Sequence, residues 1–133
     1  MGCKRSLFYY IYNMQTDIIP LGKHGIDFVA ILKYRTTEEG GRKTPVFKID
    51  SIYKCYGPQV KFYFSEKQTS GAQMFIDKEI VYPGDTVTAK IIMLSTEFFK
   101  NKLEIGMGFE FREGGKITGT GQITKIVNEN LTK

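Results

Sequence analysis

Histidine and cysteine are nearly missing from this chain of 133 residues, which has one of the former, His24, and two of the latter, Cys3 and Cys55. A lone histidine in an irregular stretch leaves no Ser-His-acid or Cys-His pair to activate a nucleophile, and no cluster of ligands for zinc. Two cysteines are too few for a disulfide scaffold. Long apolar runs are also absent: Leu7 to Tyr12 is far shorter than the roughly 20 residues that span a bilayer, and no small-residue cleavage site follows it. There is no G-x-x-x-x-G-K-[ST] loop to cradle phosphates, and Gly22-Lys23-His24 lacks the upstream glycine. These absences point away from an enzyme, a secreted protein and a membrane span, and towards a cytoplasmic protein without cofactor, metal or bound GTP.

What is present is a single domain's worth of chain with 19 basic and 14 acidic residues, a net charge of +5. That bias favours a polyanionic partner without requiring one. Residues 1–25 show no sustained alternation and end in Pro20-Leu21-Gly22-Lys23-His24-Gly25, so they read as an irregular leader or a misassigned start. Met1-Gly2-Cys3-Lys4-Arg5-Ser6 fits a myristoylation pattern, but that match needs only a glycine and a hydroxyl residue at fixed places.

From Ile26 to the end the pattern is that of a sheet. Ile26 to Tyr34 is rich in β-branched and aromatic residues. Val87, Ala89, Ile91 and Met93 alternate with Thr86, Thr88 and Lys90; Ile105, Met107, Phe109 and Phe111 alternate with Gly106, Gly108, Glu110 and Arg112; Ile117, Gly119, Gly121 and Ile123 alternate with polar residues that include Thr118. Successive side chains of a strand face opposite sides, so each run predicts one apolar and one wet face. Weaker runs at Val46 to Tyr53, Val60 to Phe64 and Ala72 to Ile80 bring the total to six or seven strands, and Glu97 to Glu104 forms one helical turn at most. Pro83-Gly84 predicts a type II turn, and Gly114-Gly115 a tight hairpin. Gly119 and Gly121 on an inward face predict a bend or a close backbone approach. A closed antiparallel barrel accounts for all of these and hides its sheet edges.

Two glycine-paired, charged turns stand out: Glu38-Glu39-Gly40-Gly41-Arg42-Lys43-Thr44-Pro45, and Phe111-Arg112-Glu113-Gly114-Gly115-Lys116. Arg42, Lys43, Lys48, Lys54 and Lys61 lie among Phe47, Tyr53, Tyr56, Phe62 and Tyr63, an interleaving that suits a phosphate backbone but equally suits a core with solvated lysines. Glu38, Glu39, Glu66 and Glu113 read as solvated turn charges.

In order along the chain, these segments resemble the C-terminal domain (domain III) of translation elongation factor Tu. The first turn is similar to that family's EGGRHTPFF. Tyr56-Gly57-Pro58-Gln59 is similar to its YRPQ, Val81-Tyr82-Pro83-Gly84-Asp85 to its V-x-PGD, and Phe109 to Lys116 to its F-x-IREGG-R. The resemblance covers about Phe28 to Val127. It implies a six-stranded antiparallel closed barrel over residues 26–133. It also implies a non-catalytic module that holds structured RNA such as tRNA through Arg42, Lys43, Gln59, Ser70, Glu113 and Gly114. A protein partner, a translation factor or a second copy, is the alternative. Gly57 stands where the family has arginine, and Ser95-Thr96 where a lysine-proline pair is frequent, so cations of the RNA-facing set have thinned.

Overall fold

The computed structural model describes residues 25–49 and 55–133. The leader, the Met1 to Ser6 pattern, His24 and the proposed strand residues beyond Ile49 lie outside the described residues. The described residues form eight strands: β1 (Phe28–Tyr34), β2 (Val46–Phe47), β3 (Gln59–Phe62), β4 (Gln68–Phe75), β5 (Ile80–Val81), β6 (Thr86–Met93), β7 (Gly108–Glu113) and β8 (Lys116–Ile126). Six of them close a barrel in the order β1, β6, β4, β3, β7, β8, while β2 and β5 pair as a small separate sheet. Every strand pairing is antiparallel. The expected closed six-stranded antiparallel barrel is therefore the observed architecture.

The strand with the cleanest alternation matches its expected bounds: β6 runs from Thr86 to Met93, and Val87, Ala89, Ile91 and Met93 are all buried. Elsewhere tertiary context moves the boundaries. The run from Ala72 to Ile80 is two strands, because the chain leaves β4 after Phe75 and re-enters at β5. β4 also begins four residues early, at polar Gln68, since its first residues pair with β3. β3 ends at Phe62, which leaves Tyr63 and Phe64 exposed. Ile105, expected on the apolar face of β7, precedes the strand and is 67% exposed. Thr118, expected on the wet face, is fully buried. A register shift beside Phe111 and Arg112 sets Phe111 opposite Gly119 and Arg112 opposite Ile117, so Thr118 is the extra residue of a β-bulge and points inward.

The glycine expectation resolves as close approach. Phe109 and Phe111 of β7 lie directly opposite Gly121 and Gly119 of β8, and a Cβ on Gly121 would sit 2.3 Å from the Phe109 ring. The rings fill the space that side chains on β8 would need. The Pro83-Gly84 turn also forms as expected: Gly84 has φ 94°, and the Asp85 N–H donates to Tyr82 O over 2.9 Å, the geometry of a type II turn. At one end of the barrel, Phe99, Leu103 and Leu131 are packed into the core below Phe28, Phe62 and Phe109. At the other, Tyr34 meets Phe111 and Tyr56.

Candidate nucleic-acid interface

The loop that carries Arg42 is built by its own sequence. Thr36 and Glu39 form a capping box: the Thr36 N–H donates to Glu39 Oε1 over 2.8 Å, and the Glu39 N–H is shared between Thr36 Oγ1 and Thr36 O, each at 3.1 Å. Hydrogen bonding to its carboxylate, first from the Thr36 backbone N–H and then from the Thr36 side chain, holds the Glu39 carboxyl below its ordinary value. The single turn closes with Gly41 N–H on Thr36 O and Gly40 N–H on Thr37 O. Gly40 adopts φ 96°, the left-handed residue of a Schellman motif. Gly41 is required for a different reason, since a Cβ there would lie 2.4 Å from Arg35 O. The chain leaves this turn aimed back across the barrel end, and Thr37 Oγ1 donates to Arg42 O over 2.8 Å.

Arg42 thus reaches the hairpin at the other end of the sequence. Its Nη1 and the Tyr56 hydroxyl both donate to Glu113 Oε2. Its Nε and Nη2 donate to Thr44 O and Thr44 Oγ1 over 3.2 and 3.1 Å. The guanidinium carbon lies 4.9 Å from the Tyr56 ring centre, a cation–π contact. The Tyr56 hydroxyl is 3.2 Å from Thr118 Oγ1, which donates to Phe111 O. Burial, reinforced by the hydrogen bond to Glu113, pushes the Tyr56 hydroxyl far above its ordinary value. Burial pulls the Arg42 guanidinium down, but the hydrogen bond and charge of Glu113 outweigh it and hold the group cationic. The Glu113 expectation is corrected here: its carboxylate is a half-buried partner of Arg42 and Tyr56, because it follows Phe109 and Phe111 on the inward face of β7 at the barrel mouth.

The other expected residues continue from this cluster. Gly114, φ 63°, is the exposed tip of the β7 to β8 hairpin. Lys43 is exposed beside Arg42 and has no ion pair among the described residues. Gln59 of β3 is paired with Arg112 on one side and Ser70 on the other. Ser70 Oγ donates to Gly57 O over 2.8 Å, tying the Tyr56 to Gln59 segment to β4. All six expected residues lie along one strip, from the Arg42 loop and the Gly114 hairpin to β3 and β4.

Sequence reasoning missed Tyr56, Thr118 and Arg112 as members of this strip. Tyr56 stood among the interleaved aromatics, but nothing local marks its hydroxyl as the link between Arg42, Glu113 and Thr118. Most of the strip's cations already have partners. Arg42 holds Glu113, Arg112 holds Glu110 over 2.7 Å, and Lys61 holds Glu66 over 3.8 Å. Lys43 is the exception. No group of His, Cys, Asp or Glu among the described residues is arranged to hold a metal, and none of their helices is long and apolar enough to cross a membrane. No protein-family model matches the chain.

Proposed function

We propose that this chain is a relative of elongation factor Tu domain III that works as a non-catalytic binding module for structured RNA such as tRNA. The observation that carries this reading is the convergence of Arg42, Lys43, Glu113 and Gly114 at one barrel mouth, with Gln59 and Ser70 paired alongside. Arg42 and Glu113 are 71 residues apart in sequence, and these segments are the ones the resemblance assigns to RNA. Lys43 offers an unpaired ammonium to a phosphate. Glu113 Oε1, with Oε2 occupied, is an acceptor for a ribose hydroxyl. Such contacts position a backbone without reading bases. The mixed charge of the mouth, with Lys33, Arg35 and Lys116 set against Glu38, Glu39 and Asp85, implies modest affinity that depends on shape.

The test is retention of a tRNA pool at increasing salt. The parent is expected to bind, Lys43→Ala to lower the salt slope by about one, and Arg42→Ala/Lys43→Ala to lose most binding. Failure of the parent to bind, or binding by the double variant equal to the parent's, would overturn the reading. The alternative of a protein partner is favoured by one feature: Phe47 and Tyr82, 57% and 53% exposed, flank the small β2 and β5 sheet. Affinity capture with nuclease separates the two, since a protein partner survives digestion and an RNA-only recovery excludes it.

A further inference from the structure

The opposite end of the barrel carries a second charged surface with a different design. Phe64 follows β3 and is 46% exposed, yet its inner face stacks on buried Phe62 at 5.8 Å and 24°. Phe62 is its only ring partner among the described residues, and the 46% exposure of Phe64 leaves ring surface for a second one. Phe98 is 37% exposed and stands at 88° to buried Phe99, 5.2 Å away, while Phe99 in turn contacts Phe62 at 5.5 Å. The two exposed rings are therefore mounted on adjacent core rings, and ordering them for a ligand costs little side-chain entropy.

Two ammonium groups converge on the Phe98 ring, Lys102 Nζ at 5.0 Å and Lys67 Nζ at 5.5 Å from its centre. They come from different loops, and both backbones are anchored. The Lys67 N–H donates to Ser65 Oγ, and the Lys102 N–H is shared between Phe99 O and Leu131 O. The neighbouring carboxylates are spent elsewhere: Glu66 faces Lys61 and Glu97 faces Lys100 at 3.3 Å. Lys67 and Lys102 have no ion pair among the described residues. Two like charges held on one ring, beside a rigid ring with exposed surface, fit a ligand that alternates anionic groups with flat apolar ones.

We propose that this tip, Phe64 with Lys67, Phe98 and Lys102, binds a short single-stranded segment of nucleic acid. A base stacks on the exposed surface of Phe64 and the flanking phosphates take the ammoniums that Phe98 holds ready. This is the pairing of stacking platform and basic groove used for sequence-tolerant single-strand binding. An acidic peptide would use the ammoniums but leave the flat face of Phe64 idle. Base stacking and ammonium–phosphate contacts do not read the sugar, so RNA and DNA strands bind alike. The site is independent of the Arg42 mouth.

The experiment is fluorescence anisotropy of the full chain with labelled oligouridylate and oligothymidylate of about ten nucleotides, at about 50 to about 200 mM salt. Phe64→Leu keeps the apolar cover but removes the stacking face, and is expected to weaken binding about 5- to 100-fold with an unchanged melting temperature. Lys67→Ala/Lys102→Ala is expected to lower the salt slope by about 1.4, while Arg42→Ala/Lys43→Ala leaves single-strand binding as in the parent. Absence of salt-dependent binding by the parent overturns the proposal. So does binding unaffected by both tip variants, or binding of a poly-glutamate peptide or anionic vesicles in place of the oligonucleotides. Loss of tRNA binding alone, with the oligonucleotide arm intact, counts against the Arg42 mouth and not against the tip.

Discussion

At the scale of single residues, Tyr56 has the largest role relative to its visibility in the sequence. Its ring carries Arg42 and its hydroxyl joins Glu113 to Thr118. Beneath it, buried Tyr34 donates to Gln73 Oε1 over 2.5 Å, and burial raises the Tyr34 hydroxyl well above its ordinary value too. Both groups therefore keep their protons in the folded state at a pH where the unfolded chain, with tyrosines near about 10, releases them. Stability from this source is complete below pH about 10 and falls as pH rises beyond it, because the folded state then binds more protons than the unfolded. Thermal melts from neutral to strongly alkaline pH should show this loss, and Tyr56→Phe should flatten it. At neutral pH the same variant should cost about 1.5 to 3 kcal/mol, the net worth of a hydrogen bond to a charged group. A melt whose alkaline slope is the same with and without the Tyr56 hydroxyl would rule this out.

At the scale of elements, the β7 and β8 hairpin depends on a size match across the pair. The aromatic rings of Phe109 and Phe111 occupy the space above Gly121 and Gly119. The two glycines differ in what surrounds them. The three atoms nearest a Cβ at Gly121 belong to side chains, the Phe109 ring at 2.3 Å and Leu32 Cδ2 at 2.9 Å; among those nearest a Cβ at Gly119 is Lys33 O at 2.7 Å, which is backbone. Gly121→Ala should therefore cost about 1 to 3 kcal/mol through overpacking, and Phe109→Leu in the same chain should recover part of it. Gly119→Ala with Phe111→Leu should recover little, because a carbonyl in the β1 ladder has no rotamer to change. Denaturant titration of the two double variants decides the matter. The alternation made these glycines inward-facing in the sequence, but whether they bent the strand or admitted a neighbour depended on which residues lay opposite.

At the scale of the whole molecule, the barrel is closed by β1 pairing with β8 and plugged from below by the C-terminal segment. Leu103 and Thr132 form a parallel bridge, and the Lys133 N–H donates to Leu103 O over 2.8 Å. Leu131 is fully buried among Phe99 and Leu103, although no periodic pattern surrounds it in the sequence. Leu131→Ala should cost about 2 to 5 kcal/mol, as for other core leucines, with an unchanged denaturant slope. A loss confined to a few tenths would mean that the plug is dispensable. The sequence alone determined the architecture: strand alternation and glycine or proline turns are local properties, written at fixed spacings of two to four residues. It also marked the Arg42 and Glu113 turns, since a glycine pair beside charges needs no tertiary context to be seen. Only the tertiary structure decided what those charges do. The register shift at Phe111 turned Thr118 inward beside Glu113, and closure brought Tyr56 and Arg42 to them. At the far end it set Lys67 and Lys102 on one ring, a meeting of loops 35 residues apart (102 minus 67) that no spacing in the chain foretells.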